Sequence, residues 1–89
     1  MSVGYRVVLR PSADKALGKL PRDAQARLIA KAQSLSSEPR PHGVKKLQGQ
    51  SNLYRVAVGS YRIVYAIDDA RRVLTVTIIA DRKESYRGL

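Results

Sequence analysis

Cysteine is missing from this chain, as are phenylalanine and tryptophan, and its 89 residues include one histidine and one methionine. Without cysteine there can be no disulfide, no thiolate zinc site and no cysteine nucleophile, a composition that suits a reducing cytoplasm. Without Phe and Trp the core must come from Val, Ile, Leu, Ala and five Tyr. Acidic residues are scarce: seven Asp and Glu face seventeen Lys and Arg, for a formal charge of +10. Long apolar runs are absent too. The most apolar stretch, Val73 to Ala80, falls short of the ~18 residues of a membrane helix, and no basic-then-apolar leader opens the chain. With 44% hydrophobic and 27% charged residues, folding is expected rather than disorder. Residues 1–89 are expected to form one domain around a single modest core.

The basic excess is the strongest global signal. A field of that sign attracts nucleic acid, an acidic protein or an anionic membrane, and the plain alternative is a basic protein that is merely soluble. The charge is clustered. No acidic residue lies between Glu38 and Asp68, where Arg40, Lys45, Lys46, Arg55 and Arg62 all fall.

Val3 to Leu9 reads as a first strand, stopped by Pro11. Ser12 offers a helix N-cap and Asp14 an anion in the first turn. Ala13, Ala16, Leu17 and Leu20 follow the spacing of a short amphipathic helix, which Pro21 closes. Leu28, Ile29, Ala32 and Leu35 stripe a second helix over Asp23 to Leu35, and the two read as a helical hairpin. Residues 36–43, with two prolines and a glycine, form a loop. The period then changes to two. Leu53 to Val58 and Tyr61 to Ile67 are strands around Gly59-Ser60, a Gly-first pair suited to a type II′ turn. Asp68 to Arg72 is a turn, Val73 to Ala80 the last strand, and the polar tail has room for one helical turn. The expected class is α+β: an N-terminal strand, a two-helix hairpin, then a three-stranded antiparallel meander, in one sheet with the helices on one face.

A two-residue turn at Gly59-Ser60 fixes the hairpin register. Val58 then pairs with Tyr61, Ala57 with Arg62, Val56 with Ile63 and Arg55 with Val64. One face carries Tyr54, Val56, Val58, Tyr61, Ile63 and Tyr65 and belongs under the helices. The other carries Arg55 and Arg62 as diagonal neighbours, close enough to hold one phosphate together.

The segments KKLQGQSNLYRVAVGSYRIVYAID (45–68) and IADRKESY (79–86), with the preceding strand and helices, resemble the RelE/ParE toxin superfamily and its RelE branch in particular. The resemblance implies a toxin of a type II toxin–antitoxin system. Its expected activity is a metal-independent endonuclease that cleaves messenger RNA in the ribosomal A site and stops translation. It also implies a cytoplasmic setting, a cognate antitoxin, the ribosome and messenger RNA as partners, and no cofactor or membrane. By the same resemblance Arg55, Arg62, Arg82 and Tyr86 are the expected catalytic positions. Ala57 and Asp81 stand where other members carry lysine and histidine.

Metal-free RNA cleavage needs the 2′-hydroxyl deprotonated, the phosphorane charge stabilised and the leaving 5′-oxygen protonated. A planar guanidinium can hold two phosphate oxygens, but arginine stays protonated and cannot be the base. The proton is left to Lys45, Lys46, Tyr86, His42, a carboxylate or a ribosomal group. Lys45, Lys46, Arg40 and Lys83 are the expected RNA contacts, against the plain reading of solvated charges. His42, between Pro41 and Gly43, reads as an exposed loop residue. Asp68 and Asp69 sit at the wrong end of the hairpin to act as a catalytic pair. No metal-ligand cluster, phosphate-binding glycine loop or nucleophile triad stands out. Two rival functions stay open: a gyrase inhibitor of the ParE sort and a non-catalytic basic RNA-binding module.

Overall fold

The computed structural model describes residues 4–47, 49 and 52–81. Its elements run β1 (Arg6–Leu9), α1 (Pro11–Gly18), α2 (Arg22–Ser37), β2 (Lys45–Lys46), β3 (Leu53–Val58), β4 (Tyr61–Asp68) and β5 (Val73–Asp81). One five-stranded sheet has the order β1-β5-β4-β3-β2, with β1 parallel to β5 and every other pair antiparallel. The α+β class holds, with one strand more than the sequence suggested. That strand, β2, is two lysines long and pairs with β3 (Lys45 with Arg55, Lys46 with Tyr54). Two residues cannot show a period, so only the neighbouring strand defines it.

The hairpin is as the pattern predicts. Val58 pairs with Tyr61, Ala57 with Arg62, Val56 with Ile63 and Arg55 with Val64. Of the two turn residues only Gly59 has a positive φ, 60°, as a type II′ turn requires. The start of α1 differs from expectation. Its N-cap is Arg10, with no side-chain cap, and Pro11 opens the helix, so Ser12 is not the cap. Proline's fixed φ suits the first helical position, where its missing N–H would be unsatisfied in any residue. Gln25 Nε2 ties the two helices by donating to the Leu20 carbonyl at 2.9 Å.

The core lies between the helices and one sheet face. Ala13 and Leu17 of α1 and Leu28 and Leu35 of α2 meet Val56, Ile63, Tyr65, Ile67, Leu74, Val76 and Ile79. Each fully buried Leu or Ile contributes about 1.5–3 kcal/mol of transfer free energy. Tyr65, fully buried, supplies the bulk that Phe or Trp would otherwise bring, and its hydroxyl donates to the Pro39 carbonyl at 2.7 Å. A buried hydroxyl needs that partner.

In β5 the buried residues are Leu74, Val76 and Ile79, so the alternation slips by one. Val76 pairs with Tyr65 and Ile78 with Val64, leaving Thr77 as the extra residue of a β-bulge. The Thr77 hydroxyl donates to the Val64 carbonyl at 3.0 Å. Ile78 and Ala80 are thereby moved to the face that also carries Val64 and Arg62.

Candidate nucleic-acid interface

Strand alternation sorts the basic residues by face. Lys45 stands opposite Arg55 across β2 and β3, and Arg62 is diagonal to Arg55 across β3 and β4. Directly paired side chains begin roughly 5 Å apart and diagonal ones roughly 7–8 Å. Lys45, Arg55 and Arg62 therefore form one cationic row on the face away from the helices. Lys46 pairs with Tyr54 and shares the opposite face.

The row rests on a firm floor. Val64 lies beside Arg55 in the register and is buried although it is on this open face. Arg62 sits between Ala57 and Ala80, whose small side chains leave room for a long one to lie along the sheet. The Nε atoms of Arg55 and Arg62 are buried, while both residues remain only half-buried overall. Both side chains thus lie low against the sheet as far as Nε. Two such guanidiniums beside an exposed ammonium suit a phosphodiester and its extra charge during in-line attack.

Arg40 is held elsewhere. Its Nη2 and Nη1 reach Asp69 Oδ2 and Oδ1 at 2.9 and 3.3 Å, and its Nε donates to the Tyr54 hydroxyl at 3.2 Å. Its guanidinium stands 5.2 Å from the Tyr54 ring centre, and that ring stacks on Tyr65 at 6.0 Å. Tyr5 donates to the same Asp69 at 2.6 Å, with the Arg72 guanidinium 5.5 Å from the Tyr5 ring centre. The Arg40 guanidinium, then the Tyr5 hydroxyl, hold the Asp69 carboxyl below its ordinary range; the hydrogen bond to Asp69 raises Tyr5. This latch fastens the loop after α2, which begins at residue 38 rather than 36 as the sequence suggested, to the β4–β5 turn and the start of β1. Sequence reasoning missed it, having treated Asp69 as a turn residue only. Tyr5 and Asp69 are 64 positions apart and no local pattern links them.

His42 is exposed in a turn before Gly43, whose φ is 90°. Arg82, Lys83 and Tyr86 lie outside the described residues, and so does the expected convergence of Arg82 on the arginine pair. Among the described residues no group of three His, Cys, Asp or Glu stands together to hold a metal, and no helix is long and apolar enough to cross a membrane.

The fold thus sets helices on one sheet face and the cationic row on the other. Residues 7–86 match the family described as ParE toxin of the type II toxin–antitoxin system parDE. Toxin RelE of Mycobacterium tuberculosis is 31% identical over 84 residues, 93% of this chain and 87% of the relative. The archaeal RelE–RelB complex from Pyrococcus horikoshii contains a chain that superposes with a TM-score of 0.82 at 30% identity, over 92% of this chain and 99% of that one. The RelBE2 toxin–antitoxin complex of M. tuberculosis gives 0.80 at 29% identity, over 90% and 100%. The chain belongs to the RelE/ParE family of type II toxin–antitoxin toxins.

Proposed function

We propose that this toxin is a ribosome-dependent, metal-independent endonuclease that cuts messenger RNA in the A site and so inhibits translation. The observation that carries the reading is the row of Lys45, Arg55 and Arg62 on one face of a rigid sheet. Arg55 and Arg62 hold the scissile phosphate and offset the charge that builds as the 2′-hydroxyl attacks phosphorus. Arg82 and Tyr86 join them as catalytic residues, and Lys45 and Lys83 contact neighbouring phosphates, whereas Lys46, expected as a further contact, stands on the opposite face. Arg40 reaches RNA only by leaving Asp69. Lys45 is the described ammonium placed to exchange a proton beside the arginine pair, the alternative donors being Tyr86 and ribosomal groups. Chemistry this sparse gains most from a ribosome that fixes the substrate in attack geometry. No cofactor takes part, and the work is done in the cytoplasm.

The partner that restrains it is a cognate antitoxin with a net acidic, amphipathic segment that folds on binding. The RelE–RelB and RelBE2 complexes among its structural relatives support such a partner. Charge steering makes that complex weaker at high salt.

A second reading, inhibition of DNA gyrase without catalysis, is favoured by the ParE description of the matching family. Induced expression followed by mapping of messenger-RNA ends separates the two. We expect growth arrest with new ends in ribosome-bound messages and poor cutting of naked RNA. Arrest with DNA breaks and intact messages would replace our reading with the gyrase one.

A further inference from the structure

Where β4 begins and β5 ends, α1 stands off the sheet and leaves a cavity of about 500 Å3, within the ~300–1,000 Å3 typical of small-ligand sites. Ala16, Leu20 and Ile79 give it an apolar lining, Tyr61 adds an aromatic ring, Lys15 and Lys19 supply positive charge, and Ser12 and the carboxylate Asp81 complete the wall. The two lysines are exposed and four residues apart, so they share one side of α1. Like charges at that spacing weaken a helix. Neither takes part in the ion pairs that join Arg27 to Asp23 and Arg40 to Asp69.

The cavity adjoins the cationic face. Ala80, part of its lining, is the β5 partner of Arg62, and Tyr61 precedes Arg62 in β4. A strand of RNA with a phosphate at Arg62 need pass only around the sheet end to enter it. An apolar lining with one aromatic ring and two cations on the α1 side, which outnumber the one carboxylate at the end of β5, suits a nucleotide, with its flat stacking base and an anionic phosphate directed to α1. The groove between α2 and β1, lined by Val7, Leu9, Ile29 and Ala32, contains no charged residue and lacks that match.

We propose that this cavity is a nucleotide subsite of the toxin, taking an unstacked RNA base beside Tyr61 while Lys15 and Lys19 hold the adjoining phosphates. The subsite rests on the RNA reading of the open face and extends the substrate path from it to the underside of α1. It favours an RNA segment that is single-stranded next to the cleaved phosphate, because a paired base cannot enter.

The test is an NMR titration of the isotope-labelled full chain with a pentaribonucleotide blocked by 2′-O-methyl groups, which binds without being cut. Amides of Ala16, Leu20 and Tyr61 should shift along one curve with those of Arg55 and Arg62. Lys15→Ala with Lys19→Ala, both at exposed positions, should weaken binding about tenfold and reduce the salt slope by about 1.4, the value for two lost single-strand phosphate contacts. Tyr61→Phe should retain the affinity, since stacking needs the ring and not the hydroxyl. Shifts confined to Arg55 and Arg62 would overturn the subsite and leave the RNA reading of the face intact. Shifts confined to the cavity would support the subsite and remove the phosphate site from Arg55 and Arg62. Cavity shifts with a polyglutamate peptide but not with RNA would assign the cleft to an acidic protein segment instead, and no shift with either would overturn it.

Discussion

The two faces of the sheet are built from the same alternating strands, yet they treat polar groups in opposite ways. On the helix side several polar groups are tied down: the Tyr65 hydroxyl to Pro39, Arg40 to Asp69 and Tyr54, Tyr5 to Asp69. On the open side Lys45, Arg55 and Arg62 crowd three like charges into adjoining register positions. Like charges placed opposite one another across strands cost stability. Arg40 and Arg62 carry the same guanidinium. The first is held by Asp69 and Tyr54; the second lies on a small-residue floor between Ala57 and Ala80.

The sharpest way to break this contrast is to damage each face separately. Leu35→Ala on the helix side, at a fully buried position, should cost about 2–5 kcal/mol in urea denaturation. A loss below that range would mean the helix-side core is looser than its burial indicates. Arg62→Ala should leave the denaturation midpoint near that of the parent chain but lower single-turnover cleavage on programmed ribosomes about a hundredfold or more, the scale of one lost oxyanion donor. Arg62→Lys should recover only part of the rate because the two-pronged grip is gone. Full activity in folded Arg62→Ala would remove the open face from catalysis.

A smaller effect concerns pH. Burial pushes the Tyr65 hydroxyl up to about 12, above the ~10 of an unfolded chain. A raised folded pKa means that the associated stability is fully present below pH ~10 and is lost as pH rises through ~12. Tyr65→Phe should flatten this alkaline decline, at a cost of about 1 kcal/mol at neutral pH for the lost bond to Pro39. Equal alkaline slopes for both chains would show that another group governs the decline. The smallest change belongs to Arg27→Ala. Its ion pair with Asp23 spans 3.9 Å on an exposed helix surface, worth about 0.3–0.5 kcal/mol, so cleavage should be unchanged.

What could be read in the sequence depended on how local the determining physics was. The β3–β4 hairpin was legible because period-two alternation and a Gly-first turn act within sixteen residues, and they placed Arg55 and Arg62 on one face before any coordinates. Helix positions were legible from the stripe Leu28, Ile29, Ala32 and Leu35, of which Ile29 stays exposed; the start of α1 was misjudged because Pro11 outweighed Ser12. β2 and the Arg40–Asp69–Tyr5 latch were not legible, since both depend on partners far along the chain. The bulge at Thr77 was overlooked although a trace was present: after Leu74 and Val76 the apolar alternation gives way to adjacent Ile78 and Ile79. The separation of Lys45 from Lys46 followed only once β2 had a partner.

The parallel pairing of β1 with β5 has a consequence for how the molecule is made. Arg6 lies beside Val73, so the first strand to be synthesised waits for the last before it can join the sheet. Such long-range pairing carries a large loop-closure penalty and slows folding. The helices and the β3–β4 hairpin can assemble early from neighbouring residues, but α2 lacks part of its support until β1 and β5 arrive. A nascent chain stopped before Val76 would expose unpaired strand edges and invite aggregation or proteolysis. Completion of the sheet is thus a late step in folding, set by the pairing of β1 with β5.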